Sequence, residues 1–402
     1  MQKLLKISQQ TFWQIVVKAI TTTSGFIIIG IISRNYGQSG VGDFTLALIY
    51  LTFFYTLADF GFNAHVLSRL QGTGYGLQIE WRKLLGVRII WSLVLAISAV
   101  LLLLVMPSSF TLDFKLSTLF GSLIILFFAM NLTSSALFQS KLRYDLDIVP
   151  TIVGVLLSVL VTILFASQHF PIYTLILSYV VAWFIHALGT YLASKKFINN
   201  LTPLFDLNYL KNLFKSTWPL AGTLILNIVY FRIDSFILTA NFGSAQVGLY
   251  NIAYQVFQSI LVLPTFIMNS FYPFILQSKK FSFKKPLLGL LGIAISITIF
   301  LYYLSPFLIR LIAGSGFTTS ITSLQILSLG LPAFFVSSLL WWVLISKGFY
   351  KKLLVIYTIG LVFNIVTNLI FVPQYGLLAA SWITGLSEYL ILTLQIMVLW
   401  RK

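Results

Sequence analysis

The stretch SRNYGQSGVGDFTLALIYLTFFYTLADFGFNAHVLSRL, residues 33–70, reads as an apolar helix entered through a glycine-rich turn. The chain repeats the pattern from Ala240 as ANFGSAQVGLYNIAYQVFQSILVLPTFIMNSFYPFIL. A shift of 206 positions lays Gly37 on Gly243, Val41 on Val247, Gly42 on Gly248, Phe44 on Tyr250 and Asn63 on Asn269. A turn that ends one apolar helix and opens the next, recurring half a chain later, predicts two similar helical bundles in tandem.

Composition sets the class. Of 402 residues 58% are hydrophobic and 9% charged, against roughly 25% charged in soluble domains. The apolar segments are about 20 residues or longer, enough to cross a hydrocarbon core as helices. Strands of a membrane barrel would instead alternate over about 10 residues. The chain begins MQKLLKISQQ and runs into a long span without a small-residue cleavage site, so no removable signal peptide is expected. With no cysteine and three histidines (His65, His169, His186) the sequence calls for no disulfide and no metal site. No phosphate loop, nucleophile elbow or zinc motif is present, so no cofactor and no enzyme activity is expected.

Hydropathy predicts twelve spans: 11–33, 42–67, 85–106, 117–139, 149–168, 171–193, 217–240, 247–276, 286–312, 321–346, 353–372 and 377–400. The basic residues fall into alternate connections: Lys3 and Lys6; Arg69, Arg82 and Lys83; Lys141 and Arg143; Lys195, Lys196, Lys211 and Lys215; Lys279, Lys280, Lys284 and Lys285; Lys347, Lys351 and Lys352; Arg401 and Lys402. The opposite face has Arg34, Lys115 and Arg310. This bias accounts for the net charge of +17 without a nucleic-acid partner and predicts both termini in the cytoplasm. Six spans per half make the halves parallel repeats about an axis along the membrane normal. The expected organisation is a lobe over 1–193, a cytoplasmic linker over 194–216 lying on anionic lipid, and a lobe over 217–402.

Charges inside spans are costly and invite a function. Lys18 and Asp59 lie at similar depth on consecutive spans, which suits a structural ion pair or, for Lys18, a cavity lining that attracts an anion. Arg232 and Asp234 sit two apart on one helix and point to different sides, so each needs its own partner or a wet cavity. Arg232 is read as facing an anion. Asp59, Asp234 and Glu388 are candidates for coupling or gating. Arg34 and Arg88 are marginal cavity residues, and Thr22, Asn227 and Tyr230 offer hydroxyl and amide groups to a sugar. His65 and His186 read as packed or interfacial.

The pattern R-x-x-G-x-x-x-x-G-x-F, here Arg34 to Phe44, followed by L-x-D-x-G at Leu57 to Gly61 and a basic Arg69, resembles polysaccharide flippases of the Wzx type, in the multidrug/oligosaccharidyl-lipid/polysaccharide exporter superfamily. So do Trp218-Pro219, Asp234, Val247 to Tyr250, Pro273, and Pro373 to Ala380 in the second half. The resemblance implies an all-α membrane protein of two six-helix lobes in a V. Its implied activity is moving undecaprenyl-pyrophosphate-linked oligosaccharide for O-antigen or capsule from the cytoplasmic to the outer leaflet of the bacterial inner membrane, by alternating access through a cationic cavity. Implied partners are that lipid, membrane lipids, a polysaccharide polymerase and a chain-length regulator. Family cavities usually carry several Arg or Lys, of which Lys18 and Arg232 fit here. Twelve spans without a thirteenth or fourteenth set the chain apart from the lipid II flippase branch. A cation-coupled multidrug antiporter of the same superfamily and an O-antigen polymerase remain alternatives.

Overall fold

The computed structural model describes residues 2–67, 70, 74–268 and 284–400, with side chains from Trp13 onward except those of Gln14 and Lys284. Arg69, Asn269, Pro273, Lys279, Lys280, Arg401 and Lys402, together with the side chains of Lys3, Lys6 and Lys284, lie outside what is described.

The described residues form helices α1 (Gln2–Leu57), α2 (Phe62–Val66), α3 (Gly74–Leu103), α4 (Leu112–Gly121), α5 (Leu123–Ser140), α6 (Asp145–Ser167), α7 (Ile176–Ala193), α8 (Leu207–Phe242), α9 (Ser244–Ile260), α10 (Lys284–Ala313), α11 (Thr318–Ser328), α12 (Leu331–Ser346) and α13 (Tyr350–Trp400). Helix is the form an apolar segment takes in lipid, because it satisfies its own backbone polar groups. Nine described stretches are long and apolar enough to span, or ten if the pair Ser315–Ser328 and Leu331–Ser346, bent by 40°, is one span. α1 and α13 each run past 50 residues and break at a glycine, Gly37 (φ 65°, ψ −162°) and Gly376 (φ 58°, ψ −142°). Counted as two stretches each, they bring the total among the described residues to twelve, in line with the twelve expected. Such a φ is open to glycine and strained for residues with a Cβ.

Three helices start about ten residues ahead of the hydropathy reading: α1 at Gln2, α3 at Gly74 and α8 at Leu207, against the predicted 11, 85 and 217. The last turns of the stretch read as a linker, 207–216, are thus helical.

By contacts the chain divides into one unit of 1–36 and 43–228 and a second of 37–42 and 229–402. In the first, Phe62, Trp81 and Phe138 sit in one buried cluster with Phe214 packed against it. The connector before α8 is tied down by α3. Arg82 donates to Thr202 O (2.7 Å) and Thr202 Oγ1 (2.8 Å), Leu204 N–H donates to Arg82 O, and Lys83 pairs with Asp206 at 2.7 Å. Asp206 also accepts the Tyr209 N–H at 2.9 Å, capping α8. The Lys83 ammonium and that N–H hold the Asp206 carboxyl below its usual range. Arg82 and Lys83, read as topology signals, thus also anchor this connector.

The second span of the first unit is interrupted. α1 ends at Leu57, whose carbonyl accepts the Trp91 indole N–H at 2.9 Å. Phe60 (φ 46°) and Gly61 (φ 77°) then turn left-handed before α2. Phe60 is held there by rings on three sides, with centroids 4.5 Å from Phe214, 5.7 Å from Trp91 and 5.6 Å from Phe62. A Cβ on Gly61 would lie 2.6 Å from Leu220 Cβ. Within the second unit the two repeated turns pack on each other: a Cβ on Gly42 would meet the Ser244 carbonyl, and one on Gly248 the Gln38 carbonyl. The repeat therefore has glycine at both positions because backbone meets backbone there.

Gly61→Ala should cost about 1–2 kcal/mol from the left-handed backbone alone, read as a lower melting temperature in detergent. Gly76→Ala, in open space inside α3, should not lower it. Asp206 stabilises its tether above its unfolded pKa of about 4, and that contribution is lost as pH falls through the lower folded value. Limited proteolysis of the 200–206 connector should rise on acidification below about pH 4 in the wild type. In Asp206→Asn it should already be raised at neutral pH and gain no further acid dependence.

Candidate functional site

Two polar clusters form in the first unit. At the break of the second span, Arg88 of α3 is 0% exposed and donates to Asp59 Oδ1 at 2.8 Å, Asn63 Oδ1 at 2.7 Å and Thr133 Oγ1 at 3.4 Å. Its Nε–H has no acceptor among the described residues. The Asp59 main-chain carbonyl takes the Phe62 N–H at 2.7 Å, which starts α2. The D and G of the L-x-D-x-G motif therefore have separate physical jobs: one binds the buried guanidinium, the other permits the turn.

This corrects two expectations. Asp59 pairs with Arg88 and not with Lys18, which is exposed and forms no ion pair among the described residues. Arg88 lines no open cavity, since packing encloses it on every side. The second cluster joins Asn131 and Ser135 of α5, Asp147 and Thr151 of α6, and His186 and Thr190 of α7.

In the second unit, α8 carries three predicted residues on different sides. Tyr230 donates to Glu388 Oε2 at 3.0 Å, and Ser337 donates to Glu388 Oε1. Glu388 is 4% exposed, as is Asp234. Asp234 accepts from Tyr250 OH at 2.5 Å and from the Ser235 N–H at 2.6 Å, and Tyr250 OH also lies 3.3 Å from Thr384 Oγ1. Arg232 is half-buried. Its guanidinium carbon stands 4.7 Å from the Tyr254 ring centroid, and a terminal N–H donates to Gln258 Oε1 at 2.5 Å. No carboxylate lies within ion-pair distance of Arg232 among the described residues. Tyr250, Tyr254 and Gln258 are spaced four apart, so α9 presents one face to α8. That stripe was the sequence signal for residues the first reading missed.

The remaining candidates are placed as follows. Arg34 is exposed and donates to Gly30 O at 2.8 Å, inside its own helix. Thr22 is half-buried and Asn227 exposed. No group of three or more His, Cys, Asp or Glu able to hold a metal occurs among the described residues. The arrangement offers a cation that can take an external anion, and two buried carboxylates answered by neutral donors.

Residues 7–279, about two thirds of the chain, match the family model described as polysaccharide biosynthesis protein. No curated protein sequence matches. Among solved structures, the lipid II flippase MurJ in an inward closed conformation superposes with a TM-score of 0.77 at 13% identity, over 97% of this chain and 87% of that one. An inward-facing multidrug resistance MATE family transporter of the MOP superfamily gives 0.70 at 13% identity, over 95% and 96%. A MOP superfamily transporter from Pyrococcus furiosus, described by a reversed polarity of its binding pocket, gives 0.63 at 12%, over 98% and 93%. The fold is thus that of the MurJ and MATE transporters.

Removing one partner of a buried pair leaves an uncompensated charge. Asp59→Ala should therefore destabilise by about 3–5 kcal/mol. The double variant Asp59→Ala with Arg88→Met should recover most of that loss in a melting experiment, and a loss equal to the sum of Asp59→Ala and Arg88→Met measured singly would contradict the pairing.

Proposed function

We propose that this chain, which belongs to the polysaccharide biosynthesis protein family, is a flippase for undecaprenyl-pyrophosphate-linked oligosaccharide repeat units. It carries them from the cytoplasmic to the outer leaflet of the bacterial inner membrane for O-antigen or capsule assembly, with both termini in the cytoplasm. The observation that carries this reading is Arg232. Inside a membrane span an arginine is normally matched by an acid. Here the guanidinium is matched by a ring face and an amide oxygen, which orient it without neutralising it.

A diphosphate supplies the missing charge. Guanidinium binds phosphate oxygens through paired N–H donors, and these charge-assisted bonds are about twice as strong as neutral ones. Tyr254 keeps the plane of the fork fixed, so less freedom is lost on binding. Asn227, exposed on the same helix five residues before Arg232, carries an amide that suits a sugar hydroxyl, while the polyprenyl tail stays in lipid. Alternating access then presents the bound headgroup to the opposite leaflet. Release to a polymerase and its chain-length regulator completes the cycle.

A second reading, a cation-coupled antiporter, is favoured by Asp234 and Glu388. Both are buried and bonded to hydroxyls, and neither has a basic ion-pair partner among the described residues. Export assays separate the readings. Arg232→Ala should lower polysaccharide export by about 10-fold or more at equal protein level, from a lost contact of roughly 1.5–3 kcal/mol. Arg232→Lys should retain part of it. Undiminished export by Arg232→Ala would remove the residue from the substrate path, and drug efflux with normal polysaccharide would favour the antiporter.

A further inference from the structure

Three helices of the first unit each turn a pair of polar residues, four apart, toward one point. α5 brings Asn131 and Ser135, α6 brings Asp147 and Thr151, and α7 brings His186 and Thr190. His186 Nε2 lies 3.0 Å from Asp147 Oδ1 and 2.9 Å from Thr151 Oγ1. Ser135 Oγ and Asn131 Nδ2 donate to the same carboxylate oxygen at 3.2 and 3.4 Å, and Asn131 also reaches Thr190 Oγ1 at 3.3 Å. The Trp183 indole stacks on the imidazole, with centroids 5.4 Å apart and planes at 26°. The His186 side chain is 12% exposed and that of Asp147 33%.

We propose that Asp147 and His186 form a proton-binding site of the first unit and, resting on the flippase reading above, the point at which a proton gradient drives transport. The ligand class is the proton itself. With the imidazole neutral, the site holds a single carboxylate charge within a span. Adding one proton to the ring turns that charge into an imidazolium–carboxylate pair of net charge zero. The bound proton thus changes what the site costs inside the hydrocarbon layer, which is the requirement for coupling occupancy to movement. Imidazole is the side chain whose charge changes nearest neutral pH. One hydroxyl, of Ser135, and one amide, of Asn131, hold the carboxylate against the ring nitrogen, and a third of the Asp147 side chain is left uncovered by protein.

The surrounding ionisable groups leave the pair to itself. On α6, Asp145 is bonded to Arg143 through two N–H donors at 2.9 Å. α5 carries no ionisable residue, and Lys141 follows it. α7 carries Tyr179 and Tyr191 besides His186, with Lys195 and Lys196 after it, and α4 carries Asp113 and Lys115. Tyr173 lies in the turn before α7, and Tyr55 packs against Trp183 with centroids 6.3 Å apart. None of the described lysines or arginines forms an ion pair with Asp147.

Trp183 supplies a readout independent of transport, because a protonated imidazole quenches a stacked indole. Purified protein is titrated between about pH 5 and 8 while tryptophan emission is recorded. The wild type is expected to dim on acidification, and the pH-dependent component should vanish in His186→Gln, which keeps hydrogen-bonding groups but cannot titrate there. It should also vanish in Trp183→Phe, which isolates it from the other eight of the nine tryptophans. Asp147→Asn, which removes the partner of the imidazolium, should displace the transition from its wild-type position; this variant decides the matter if His186→Gln does not fold. A wild type with no transition, or one unchanged in these variants, overturns the proton site. In proteoliposomes, translocation of a lipid-linked oligosaccharide should respond to an imposed pH gradient in the wild type and lose that response in His186→Gln. Translocation indifferent to the gradient overturns the coupling role. A wild type that moves no lipid-linked sugar overturns the flippase reading, while the fluorescence titration still decides the proton site.

Discussion

An ionised side chain inside a hydrocarbon layer must meet an opposite charge, a set of hydrogen-bond donors or water, or it costs several kcal/mol. The interior of each unit is arranged around that constraint. Asp59 is answered by the fully buried Arg88, Asp147 by His186, Asp234 by a phenol and a backbone N–H, and Glu388 by a phenol and a serine. Arg232 alone among the predicted site residues on α8 carries a formal charge held by neutral groups on a half-buried face. The first four arrangements tie helices together, and the fifth is the one on which the proposed anion site rests.

Glycine does the corresponding work for the backbone. Gly37, Gly61, Gly243 and Gly376 all take positive φ, and each stands where an apolar helix must stop and resume. At Gly61 the same turn delivers Asp59 to Arg88, so the break in the second span and the burial of a cation are one structural event. A span interrupted this way has fewer internal hydrogen bonds to lose on bending than a continuous helix.

Much of this was legible in the sequence. The duplicated turn and the alternation of basic loops led to twelve crossings because both depend on spacing, which the helix preserves. Rotation about the helix axis was harder to read. Lys18 and Asp59 share a depth, yet equal depth does not place two side chains on facing sides, and Asp59 turns to Arg88 instead. Hydropathy started the fifth span at 149 and left Asp147 outside it, because a polar first turn lowers the average. The missed clusters carried a different signal, polar residues four apart on several helices: 131 and 135, 147 and 151, 186 and 190, 254 and 258. Chance makes one such pair common, whereas three on neighbouring helices need a shared interior point. Which helices are neighbours is tertiary information, and the single chain does not contain it in local form.

The most direct measurement is deletion of the gene in its native strain, followed by separate analysis of surface polysaccharide and of the lipid-linked repeat unit in each leaflet. The account predicts loss of polymer, with complete repeat units accumulating in the cytoplasmic leaflet and shielded from reagents added outside. Single units already exposed on the outer leaflet would contradict it and point to a polymerase, and unchanged polysaccharide would contradict any role in its export.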